Sequence, residues 1–206
     1  MGGSAGNGNN LQTSWVTAQA VIVGLVITEA LKKLHENIEP VISSQVDIKE
    51  HLSYFDWSVF LTFFIFLLLL VRFYLGALRF SQIREDDGDQ PISGKIVDGI
   101  GATILFTFFF FMAASLDEAK SFIKYIFLLH LADLIWFAGI RFMARGYKKR
   151  TKVSNVFLVL TIITLVFFFV IKDTNCRMIF LIFISIVDFV VLSKFYLESD
   201  VKFVWE

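Results

Sequence analysis

One cysteine, two prolines and three histidines are spread over 206 residues, and each shortage removes a class of protein. A lone Cys176 forms no intrachain disulfide and no cysteine-built metal cluster. His35, His51 and His130 lie far apart, without the short spacing that brings two ligands to one metal. Haem held between helices wants two histidines at matched depth, and His130 alone lies inside an apolar segment. No Gly-rich phosphate loop, GxSxG elbow, CxxC pair or HExxH motif occurs. The expectation is a protein that is not an enzyme and has no cofactor and no metal. Net charge is lacking too: 19 basic and 19 acidic residues cancel, so charge balance points to no nucleic-acid partner. The first apolar run has no basic region before it, unlike a cleaved signal peptide. Met-Gly-Gly opens like a myristoylation signal, but Gly6 stands where Ser or Thr is needed.

Apolar residues are what the chain has in excess. They make up 56% of it, and Phe alone supplies 25 residues, in runs such as Phe108 to Phe111 and Phe167 to Phe169. A soluble domain is nearer about 45–50% apolar, so the surplus must face something other than water. Spanning the hydrocarbon of a bilayer takes roughly 20 mostly apolar residues as a helix, which satisfies its own backbone hydrogen bonds. The apolar stretches here have that length and lack the alternation of a membrane β-strand. The fold class read from this pattern is all-α: a polytopic transmembrane helical bundle of about six spans in three hairpins.

The spans fall at about 14–34, 56–80, 97–116, 121–143, 154–172 and 177–197. Residues 1–13 read as a flexible Gly/Asn-rich leader, 14–54 as a polar first span with an amphipathic extension. The remainder divides into a five-span bundle over 55–197 and a short tail over 198–206. The first span continues as a polar helix through Lys32, Lys33 and Glu36 and is expected to stop before Pro40. Turn chemistry marks the acidic loop from Glu85 to Gly94 and the short turns at Asp117-Glu118 and Asp173-Thr-Asn175. The loop between spans four and five holds six basic residues, counting Arg141. Placing it inside gives eleven basic residues within and seven outside, with both termini cytoplasmic. The even-numbered spans share a pattern: spans four and six run from Asp133 to Arg141 and from Asp188 to Lys194, and span two ends in Arg72-Phe-Tyr and Arg79-Phe. A duplicated hairpin would produce it, and so would the ordinary habit of basic and aromatic residues at membrane-facing helix ends.

Ionisable residues at membrane depth are costly and few, so each can be weighed. Arg72, His130, Asp133 and Asp188 are such residues, and the three charged ones lie at similar depths in spans two, four and six. His130, Asp133 and Trp136 share one helix face. The set reads either as an internal clamp fixing helix order or as a proton or cation relay with His130 titrating. Thr13, Thr17, Ala20, Gly24 and Thr28 make a stripe of small or hydroxylated residues along span one, closed by Glu29. Such a stripe lets another helix approach closely, or lines a pore if the chain oligomerises about an axis. Asp98, Gly99 and Gly101 at the start of span three permit close helix contact.

Arg72-Phe-Tyr-Leu-Gly76, Asp133-Leu-Ile-Trp136 and Asp188-Phe189 resemble a group of small bacterial multi-span membrane proteins, over about 60–195. The resemblance implies a bacterial inner-membrane protein and carries no activity. Small multi-span proteins also serve as membrane effectors in bacterial antiphage defence, an analogy of architecture only. The functional expectation is a homo-oligomeric ion channel or pore-forming effector whose partners are the bilayer, other copies of the chain and a soluble cytoplasmic protein. The competing readings are a non-catalytic subunit of a larger membrane complex and a small proton-coupled transporter using His130 and Asp133.

Overall fold

The computed structural model describes residues 6–43, 57–86, 92–143 and 151–197, with side chains over 17–39, 57–75, 99–136, 138–139 and 158–191. Among the described residues the protein is all-helical. Its helices are α1 (Gly6–Ser43), α2 (Trp57–Asp86), α3 (Ile92–Ala114), α4 (Ala119–Met143), α5 (Thr151–Val170) and α6 (Thr174–Leu197). Among the described residues two are long and apolar enough to cross a membrane, over Trp57–Leu75 and Thr174–Val191. Shorter apolar helical stretches cover Gly99–Ala114 and Leu158–Val170.

The first helix differs from its expected bounds at both ends. It begins at Gly6, inside the stretch read as a leader, and runs 38 residues to Ser43, past Pro40. Proline forgoes one backbone hydrogen bond, to the carbonyl four residues earlier, and so close to the helix end that loss is affordable to the fold. Just before it, Glu36 lies 3.5 Å from Lys33 and 3.9 Å from Lys32. The Asn37 side-chain amide donates to the Lys33 carbonyl at 2.9 Å. The far end of the amphipathic extension, from residue 44 to 54, the tips of the acidic and basic loops and the tail at 198–206 lie outside the described residues.

Neighbouring helices around the molecule run α1, α3, α4, α5, α6, α2 and back to α1. The α3–α4 and α5–α6 hairpins are packed side by side internally, whereas α1 lies more against α3 than against α2. The centre is apolar and aromatic. Ile65, Phe66 and Leu69 of α2 meet Phe109 and Met112 of α3 and Phe122, Ile126 and Leu129 of α4. Phe109 packs edge-to-face with Phe66 and Phe73, at centroid distances of 6.2 and 5.4 Å. Edge-to-face contact is the arrangement the ring quadrupoles favour.

One close approach depends on a glycine. A Cβ on Gly101 of α3 would stand 2.9 Å from Trp136 Cγ of α4 and run into the five-membered ring. The indole is rigid, so the helices would have to separate. Overpacking costs about 1–3 kcal/mol, and the better helix propensity of alanine returns about 1 kcal/mol. Gly101→Ala should therefore lower the melting temperature. Gly139→Ala is the control, since nothing lies within 4 Å of its Cβ; equal melting of the two variants would refute the contact.

Two turns are fixed by side chains. The Thr62 hydroxyl of α2 lies 2.7 Å from the Leu116 carbonyl and 2.8 Å from that of Val59. Lys33 Nζ stands 3.5 Å from Asp117 Oδ2, so the end of α1, the start of α2 and the α3–α4 turn share one end of the molecule. At the α5–α6 turn Asp173 Oδ1 accepts the Cys176 N–H at 2.9 Å, capping α6. Arg177 donates to the Ile171 and Phe168 carbonyls at 2.5 and 2.9 Å, satisfying acceptors that the end of α5 leaves open.

The Cys176 N–H holds the Asp173 carboxyl below the usual carboxylate range. A depressed carboxyl contributes stability that is present above its unfolded value and lost as pH falls through the folded one. Asp173→Ala should melt below the wild type at neutral pH, and the two should converge at strongly acid pH. A gap that stays constant across that titration would contradict the cap.

Candidate functional site

A buried charge cluster lies between α2, α4, α5 and α6, in the half of the molecule away from the α3–α4 and α5–α6 turns. Arg72 Nε of α2 stands 2.9 Å from Asp188 Oδ2 of α6, with side chains only 5% and 3% exposed. These charges survive in the interior because each has the other; removing either partner from such a pair is far costlier than replacing both. The Arg72 guanidinium also lies over the Phe73 ring, 4.5 Å from its centroid. Phe73 in turn stacks on His130 of α4, at 6.3 Å between centroids and 23° between planes. The imidazole is 1% exposed.

Asp133, one turn after His130, is partly exposed and within electrostatic reach of both Arg72 and Asp188. It accepts the Thr161 hydroxyl of α5 at 3.4 Å. The four residues singled out in the sequence are thus brought to one place, with Arg72 paired directly to Asp188. Thr161 and Ser185 complete the site and were not singled out. Ser185, 1% exposed, sits three residues before Asp188, as His130 sits three before Asp133. That repeated spacing was the signal available, since a polar group and an aspartate three apart share a helix face. Ser185 Oγ, His130 Nδ1 and Asp188 Oδ1 are buried without a hydrogen-bond partner among the described residues. Among the described residues no group of three or more His, Cys, Asp or Glu could hold a metal ion.

The small-residue stripe of α1 faces the other way. Gln19, Val26 and Ala30 are buried against the bundle, at 6%, 1% and 0% exposure. Thr17, Ala20, Gly24 and Thr28 lie on the opposite face of the helix and are exposed, while Glu29 is partly buried at its flank. Nothing lies within 4 Å of a Cβ built on Gly24. The Thr28 hydroxyl donates to the Gly24 carbonyl at 2.9 Å. Thr13 belongs to α1, but its side chain lies outside the described residues. The stripe therefore does not serve as a close-packing surface between helices of one chain. Val21, Leu25 and Leu31 flank it and are also exposed.

Set beside family models, curated proteins and solved structures, the chain matches none of them.

Proposed function

We propose that the chain is a polytopic membrane protein of six spans that assembles with copies of itself around α1 and conducts ions along the shared axis. The observation that carries this reading is the outward face of α1, where Thr17, Ala20, Gly24 and Thr28 are exposed and nothing lies within 4 Å of a Cβ built on Gly24. Small residues on an uncovered helix are what close association of membrane helices requires. Their hydroxyls and backbone can wet a pore without binding an ion strongly.

The bilayer reading is supported by the opposite edge. There α5 and α6 expose Phe169, Val170, Ile179 and Phe183 at 74%, 69%, 68% and 63%. Contiguous apolar surface of this kind is rare on soluble monomers and is the ordinary face of a helix in lipid. All six helices have at least 20 residues, the length a bilayer demands. In this reading the start of α1 and the end of α6 share the cytoplasmic side of a bacterial inner membrane, an orientation supported by the basic residues between α4 and α5.

Planar-bilayer recording of the purified chain tests the channel. Discrete conductance steps are expected. A correctly folded preparation that remains electrically silent across voltages and salts would refute it.

A further inference from the structure

Among the described residues, the helices α2, α4, α5 and α6 gather charges that do not cancel. From α2 comes Arg72; from α4, Asp133 and His130; from α6, Asp188 with the Ser185 hydroxyl; from α5, the Thr161 hydroxyl. These are the titratable, charged and hydroxyl groups facing one another there among the described residues. Arg72 is committed to Asp188 through the 2.9 Å contact. At Asp133 the sole polar side-chain partner among the described residues is the Thr161 hydroxyl, 3.4 Å away. With both carboxylates ionised and the imidazole neutral, the described residues of the cluster carry one uncompensated negative charge. An interior of low polarity disfavours that state strongly.

Restoring neutrality takes one more positive charge. A multivalent metal is poorly served, since no suitable group of three ligands is present among the described residues. A proton needs a single basic oxygen or nitrogen, and the cluster has several without partners. His130 Nδ1, Ser185 Oγ and Asp188 Oδ1 are buried there with no hydrogen bond among the described residues. His130 and Ser185 each lie one helical turn before an aspartate and on its face. Of the two carboxyls Asp188 is held directly against Arg72, which leaves Asp133 as the one whose charge lacks a direct cationic partner among the described residues.

We propose that this cluster is a proton-binding site: one exchangeable proton resides on Asp133, held by the Arg72–Asp188 pair, with Thr161, His130 and Ser185 as its polar surroundings. Binding forms one O–H bond on the Asp133 carboxyl, release breaks it, and no other covalent bond changes. The site is independent of the channel reading, because no residue of it belongs to α1.

Infrared difference spectroscopy of the full-length protein, across pH and in light and heavy water, reads the proton directly. At neutral pH the wild type should show the carbonyl stretch of one protonated carboxyl, shifted in heavy water. Asp133→Asn should abolish that band. Asp188→Asn should abolish it as well, because Arg72 then has a single carboxylate to neutralise, and Arg72→Gln should roughly double it by the same charge count. Melting provides the second readout. The wild type should lose stability as rising pH strips the proton, whereas Asp133→Asn, which keeps a neutral side chain, should not show that loss. A wild type without a protonated carboxyl at neutral pH, or a band that persists in Asp133→Asn, would overturn the proposal in favour of a purely ionic clamp.

Discussion

Replacing Arg72 by methionine should destabilise the protein by about 3–5 kcal/mol, the cost typical of orphaning one member of a buried ion pair. Arg72 and Asp188 are 5% and 3% exposed and 2.9 Å apart, so water cannot take over the lost contact. The methionine fills much of the arginine's volume, which removes cavity formation as the cause. The Phe73 ring also loses the cation above it. The double replacement Arg72→Met with Asp188→Leu should recover most of the loss, because two apolar side chains leave no charge behind in the interior. Unfolding in mixed micelles measures both. A single variant within about 0.5 kcal/mol of wild type, the range of ordinary surface changes, would mean that the orphaned Asp188 is satisfied by water or a proton and that the pair is incidental. A double variant as unstable as the single would mean that the pair contributes shape rather than charge compensation.

Gly24→Leu should abolish conductance while leaving the fold of the single chain intact. No atom of the chain lies within 4 Å of a Cβ at this position, so leucine has room in the isolated protein. Leucine also suits a helix better than glycine by about 1 kcal/mol. The harm falls between copies, where a helix pair brought together through small residues cannot admit a branched side chain. Thr28→Leu, one turn on, should act in the same direction. Bilayer conductance and the circular dichroism melt of dissociated protein separate the two effects. Unchanged conductance would remove α1 from the pore. A collapsed melt would show that the residue packs inside the chain after all.

How much could be read from residues alone varied with the physical signal. The turns at Asp117 and at Asp173 stood out because capping residues and short polar breaks punctuate long apolar runs, and helices end there. The approach of α3 and α4 at Gly101 was legible for the same local reason: a glycine permits what a Cβ forbids. Arg72 and Asp188 could be matched by depth, since a charge at mid-helix demands a partner. Thr161 and Ser185 were passed over because a hydroxyl in an apolar helix has a cheap alternative, bonding the carbonyl one turn back, as Thr164 does with Leu160 at 2.8 Å. The inward faces were also illegible. A helix such as α5 is apolar all round, so its sequence does not say that Thr161, Thr164, Leu165 and Phe168 turn inward while Phe169 and Val170 turn out. The start of α1 was misplaced because Gly and Asn have weak helix propensity, and propensity is overridden by a helix already running.

The direct test of assembly around α1 is the stoichiometry and symmetry of the purified full-length particle, imaged by single-particle cryo-electron microscopy. A closed ring with Thr17, Gly24 and Thr28 of every copy innermost, and Phe169 and Phe183 outermost, is the expected result. A monomer, or an oligomer with α1 on its lipid-facing rim, would contradict it.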